Sequence, residues 1–191
     1  MSFRVVIFFT FIFTLLTGCT VRSLQTSGPT EHNVRKVSLF FDATPPETIQ
    51  IKRISNYAGA KITDADKQRA QTDVAALSNV IRNGFRDQFP PMAEKRGFAI
   101  GSIANTETQL KISIASAALG CSDMGCNPHL VLKGQLLRLP VGTVLWTFSS
   151  EVGGATVYSK ITDEIFQTFA EKLLDAMEKD RLISGKQLQS T

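Results

Sequence analysis

Histidine and cysteine are scarce in this chain: its 191 residues hold 2 His and 3 Cys. The scarcity of histidine serves nucleophilic catalysis poorly. His32 lies in a polar stretch, so any Ser-His arrangement rests on His129 alone, and the serines include no Gly-x-Ser-x-Gly elbow. Phosphate-cradling loops are missing too. Gly59 and the pair Gly153-Gly154 stand outside any Gly-x-x-x-x-Gly-Lys or Gly-x-Gly-x-x-Gly spacing and read as turns or a bulge. Charge of neither sign dominates, with 21 Lys and Arg against 17 Asp and Glu. The basic residues are scattered and form no cluster that would follow a phosphate backbone, which gives nucleic-acid binding no support. Anionic lipid headgroups stay open as partners. A bilayer-spanning run is lacking as well: the apolar stretch Val5 to Leu16 falls well short of the roughly 20 residues a membrane helix needs.

That short apolar stretch is the most informative part of the chain. Arg4 precedes it with a positive charge, and Leu16-Thr17-Gly18-Cys19 closes it with two small residues before a cysteine. The arrangement resembles the signal peptide and lipobox of bacterial lipoproteins. The resemblance implies cleavage after Gly18, then a thioether-linked diacylglycerol and an N-acyl chain on Cys19. Several chains give a stable anchor where one alone holds only marginally. An aspartate after the cysteine would imply retention in the inner membrane; Thr20 stands there instead. The implied address is the inner leaflet of the outer membrane, facing the periplasm. An ordinary cleaved signal peptide with an incidental cysteine is the alternative.

Removing a leader of residues 1–18 takes away only one charge and leaves enough chain for one domain with a real core, too little to expect two. Residues 19–36 are polar, hold Gly28 and Pro29, and show neither helical nor strand periodicity, which reads as a flexible lipidated tether. Val37 to Phe41 is a β-favouring run ended by Asp42 and Pro45-Pro46, and Ile49 to Ile54 alternates as a short strand. Thr63 caps a helix whose first turn holds Asp64 and Asp66 and whose stripe is Val74, Leu77, Ile81 and Phe85. It is expected to run to Phe89 and stop at Pro90-Pro91. A small strand over 98–103 and a strictly alternating one over 110–114 follow. Two more, 130–139 and 144–148, flank a tight Pro140-to-Thr143 hairpin. A second amphipathic helix starts at Thr162-Asp163-Glu164 and carries Ile165, Phe166, Phe169, Leu173, Leu174 and Met177. The single α+β domain thus covers 37–183, with a polar tail over 184–191. Its expected form is a two-layer sandwich of two amphipathic helices on one face of a roughly four-stranded mixed or antiparallel sheet. The acidic pairs at the two helix starts are explained by the helix dipole rather than by chemistry, and Trp146 reads as core.

The other two cysteines, Cys121 and Cys126, bracket Ser122-Asp123-Met124-Gly125 at a hairpin tip between strands. In an oxidising compartment they are expected to form a structural disulfide that stiffens the tip. Two other readings stay open. Cys121, Asp123, Cys126 and His129 have metal-ligand identities, and the cysteine pair has redox potential, although Cys-x4-Cys is not the oxidoreductase spacing and no helix N-terminus lowers a thiol pKa there.

With the lipobox and the strand-helix-three-strand-helix order together, the chain is similar to small outer-membrane lipoproteins. The lipoprotein of the lipopolysaccharide-assembly translocon has this order, and penicillin-binding-protein activator lipoproteins use a related sandwich. The residues after Cys19 lack the Gly-aromatic stretch common in the former. The expectation is a non-enzymatic, membrane-tethered adaptor that needs no cofactor. It would meet an envelope protein through Ser122, Asp123, Met124 and Gly125, or through an exposed sheet face or edge, in outer-membrane assembly, transport or maintenance. The alternatives are a metal or redox protein, and a carrier of lipid or another small apolar ligand in a groove between helices and sheet.

Overall fold

The computed structural model describes residues 20–27, 34–46, 49–53, 61–122, 125–153 and 161–183. The chain order is β1 (Thr20–Ser27), β2 (Lys36–Asp42), β3 (Ile49–Arg53), α1 (Asp64–Asp87), α2 (Phe89–Lys95), β4 (Ala99–Gly101), β5 (Thr108–Ser122), β6 (Gly125–Arg138), β7 (Thr143–Gly153) and α3 (Ile161–Lys179). A single 3-10 turn, Ile103–Asn105, lies between β4 and β5. The expected α+β class holds in coarse form, but the mixed sheet has seven strands rather than about four. Its order is β1-β7-β6-β5-β2-β4, with β3 paired to β5 beyond the end of β2. The β5-β6-β7 meander is antiparallel, as is β1 on β7; β2 and β3 join β5 in parallel and β4 joins β2 in parallel.

Alternation gives the sheet one buried face. Leu110, Ile112 and Ile114 on β5, Leu130, Leu132 and Leu136 on β6, and Trp146, Phe148 and Val152 on β7 are all buried. Both long helices pack there. Phe85 of α1 meets Phe166 and Phe169 of α3 edge-on at 4.9 and 5.8 Å, and Phe169 touches Phe148 at 5.9 Å. Trp146 is core, stacked on Phe148 at 6.0 Å. The α1 stripe is the expected one, with Ala70 buried at its start and Phe89, the first residue of α2, buried just beyond its end. Its start is a full capping box. The Asp66 amide donates to Thr63 Oγ1 (3.2 Å), and the Thr63 amide donates to Asp66 Oδ2 (2.8 Å).

Three expectations are corrected. First, Pro90-Pro91 does not end helical structure. The prolines sit in the first turn of α2, where their missing amides would have had no helical acceptor. Second, part of the segment read as a tether is strand β1, whose ladder with β7 runs from Thr20 opposite Gly153 to Ser27 opposite Thr147. An edge strand gains its hydrogen bonds from one neighbour and needs no apolar alternation, so Thr-Val-Arg-Ser-Leu-Gln-Thr-Ser carries no signal. Third, β5 and β6 run on to Ser122 and Gly125, so both cysteines lie in the ladder rather than in a loop between strands. The leader with Cys19, and the tail over 184–191, fall outside the described residues.

Candidate functional site

The two ends of the sheet differ in chemistry, and the register says which residues share each end. One end is the β5–β6 hairpin: Cys121 lies directly opposite Cys126, Ser122 opposite Gly125, and Arg53 of β3 opposite Cys121. Asp123 and Met124 lie outside the described residues. His129 pairs with Ala118 and with Gly153, and Gly153 pairs with Thr20. The first residue of β1 is therefore at the hairpin end. Cys121 and the hairpin tip extend a further three to four residues beyond that row, about 10–13 Å at the rise of a strand.

Strand alternation separates the residues read as a metal set. His129 stands opposite Ala118, three positions from Cys121, and an odd separation puts them on opposite faces of the sheet. Cys121 is accordingly buried and His129 exposed. Among the described residues no group of three His, Cys, Asp or Glu side chains is placed to hold a metal.

An apolar docking face around Trp146 and Phe148 is not present, because both rings point into the core. The opposite face of the sheet carries Lys111, Ser113, Lys133, Gln135, Thr147, Ser149 and Glu151, all half-buried. Lys111 there pairs with Asp42 at 2.9 Å and lies 6.0 Å from the centre of the Phe40 ring. The Thr44 hydroxyl, then Lys111 and the Thr44 amide, hold the Asp42 carboxyl at about 2, below the usual 3.8. The space between helices and sheet, where a carried apolar ligand would lie, is occupied in its middle by Phe85, Phe148, Phe166 and Phe169, each no more than 1% exposed.

The far end carries residues that the sequence did not single out. A cleft of about 620 Å³ opens there between the start of β2, the segment before β5 and the β6–β7 turn; Arg35, Lys36, Glu107 and Arg138 line it. Ile103, Val141 and Val144, three of the five exposed large hydrophobic side chains among the described residues, belong to the same loops. No local pattern announces this arrangement, since its cations are drawn from positions about a hundred residues apart.

No protein-family model and no curated protein matches the sequence. Solved structures resemble it weakly. A PelC dodecamer from Paraburkholderia phytofirmans is 16% identical, with 88% of this chain and 99% of that chain covered and a TM-score of 0.38. A lipoprotein from Neisseria meningitidis is 9% identical, with 73% and 99% covered and a TM-score of 0.35. A neuraminyllactose-binding hemagglutinin homolog from Helicobacter pylori is 11% identical, with 82% and 92% covered and a TM-score of 0.34. At these scores the superpositions carry no inference about this chain, whose function rests on its own residues.

Proposed function

We propose that this protein is a lipid-anchored, non-enzymatic envelope module, held at the periplasmic surface of the outer membrane through Cys19. It presents its domain to an envelope protein partner. Leu16-Thr17-Gly18-Cys19 supports the anchor, and among the described residues no helix is long and apolar enough to cross a membrane. The scarcity of histidine supports a binding role over acid–base catalysis.

The observation that carries the reading furthest is the start of β1 at Thr20, the residue after the anchor cysteine, in the row of His129 and Gly153. An anchor there turns the hairpin end of the sheet toward the lipid headgroups and the far end toward the periplasm. The hairpin end, where Ser122 lies opposite Gly125, then rests on the membrane surface, and the partner surface shifts to the far end. A bridge between Cys121 and Cys126 stiffens that membrane-side tip; Cys121 is in disulfide linkage and directly opposite Cys126.

Mass spectrometry of the N-terminal peptide from envelope fractions tests the anchor. Diacylglycerol on Cys19, and loss of the protein from the membrane fraction in Cys19→Ala, are expected. A mature chain without lipid at Cys19 overturns the reading. A spin label at Ser122 that is protected from water-soluble quenchers, beside one at Val141 that is not, is the expected orientation; the reverse pattern overturns it.

A further inference from the structure

We infer that the far-end cleft is a docking site for an acidic peptide segment of a partner protein, one that carries carboxylates beside an aliphatic residue. The inference deepens the envelope-adaptor reading and rests on it for the partner's location, though not for the chemistry of the site.

Three observations meet there. The first is charge. Arg35, Lys36 and Arg138 face one cleft with the single carboxylate of Glu107. None of the three cations belongs to an ion pair among the described residues; what sets them apart is that they share one cleft. Cations gathered in a concave site without internal partners attract an anion, and guanidinium groups favour the fork geometry of a carboxylate. The second is exposed aliphatic surface in the adjoining loops. Val141 is 81% exposed, Ile103 61% and Val144 50%, and they stand within two residues in sequence of the lining residues Leu139, Asn105 and Leu145. Aliphatic side chains beside a charged cleft suit a peptide with an aliphatic residue next to its acids.

The third is preorganisation of the backbone that carries the charges. The Val34 amide donates to the Leu182 carbonyl (2.6 Å), which ties the entry of β2 to the segment after α3. The Ala99 amide donates to the Arg35 carbonyl (3.0 Å), and the Thr108 hydroxyl donates to the Lys36 carbonyl (3.2 Å). On the other wall the Leu139 amide donates to the Glu107 carbonyl and the Gly142 amide to the Arg138 carbonyl, each at 2.8 Å. The positive φ of Gly142 lets the turn close in this way. Gly101 completes the arrangement. A methyl there would overlap Cε of Lys36 and come within 3.0 Å of Thr106 Cγ2, so a glycine lets these two cleft side chains cross β4. A wall fixed before binding loses little freedom when the ligand arrives.

The full chain in detergent, titrated with a fluorescent peptide of alternating glutamate and leucine, tests the site. Saturable binding is expected, weakening with added salt. It should fall at least tenfold in Arg138→Glu and for the peptide with glutamine in place of glutamate. Thermal unfolding of the variant shows that the fold persists; should Arg138→Glu fail to fold, Arg35→Gln serves with an expected severalfold loss. No saturable binding, equal binding by a folded variant, or equal binding of polygalacturonate would each overturn the inference. Failure of the envelope reading gives a different result: a chain that binds the peptide but carries no lipid on Cys19 leaves the site standing and removes the address.

Discussion

Trp146 donates its indole N–H to Asp180 Oδ2 at 2.8 Å, joining β7 to the residue that follows α3. The indole is buried, so its N–H loses its partner when the carboxylate is removed. Asp180→Ala is expected to lower stability by about 1–3 kcal/mol through the orphaned N–H. Asp180→Asn, whose amide oxygen can still accept, is expected to recover most of the loss. Trp146 is the only tryptophan, so urea unfolding followed by its emission measures both variants.

Asp42 gives the acid limb a specific contribution. Its folded pKa of about 2 lies below the unfolded 3.8. The stabilisation is therefore fully present above pH 3.8 and is lost as pH falls through 3.8 toward 2. The pair's side chains are 25% and 30% exposed, so solvent screening brings the contribution down to about 1 kcal/mol. Asp42→Asn is expected to lower stability by that amount at pH 7 and by almost nothing at pH 2. Denaturant midpoints at the two pH values check this.

Gly84 and Gly134 are both close-packed glycines with different neighbours. A methyl at Gly84 would stand 2.8 Å from Cγ of the buried Phe166 ring, which also packs edge-on against Phe85. A methyl at Gly134 would stand 2.9 Å from Cδ1 of Leu173, the end of a side chain that can turn. Gly84→Ala gains about 1 kcal/mol of helix propensity yet is expected to be net destabilising, because overpacking of a fixed ring costs about 1–3 kcal/mol. Gly134→Ala is expected to cost less. Thermal midpoints rank the two.

Replacing both hairpin cysteines, as Cys121→Ser with Cys126→Ser, is expected to lower stability by about 2 kcal/mol and to free the tip, since the closed loop is short. Hydrogen exchange should speed at the ends of β5 and β6 and stay unchanged at the far end. Global unfolding would contradict this.

What the sequence made legible was what local periodicity encodes. The α1 stripe, the α3 stripe and the alternation of Leu110, Ile112 and Ile114 stand where the pattern put them, because each buries one face against the same core, and the exposed turn at Pro140 to Thr143 is set by its own proline and glycine. The missed features are non-local. The small and polar residues from Ala115 to Ser122 have weak strand preference, and their extension follows from pairing with β6 on one side and β3 on the other. Strand β1 exists by grace of the β7 edge. The cleft is assembled from residues 34–36, 105–108 and 138–145, which no window of sequence sees together.

The register of β1 sets a height. If the lipid on Cys19 meets a strand that starts at the next residue, the domain has no leash, and the sheet itself becomes the ruler between membrane and partner. From the row of Thr20, at His129, to Arg138 the meander measures nine residue steps along β6, about 30 Å when extended. A partner would be met at a distance fixed by strand length. Lengthening the chain between Ser27 and Val34 would leave that distance unchanged, whereas residues inserted between Cys19 and Thr20 would set the domain adrift at a new one.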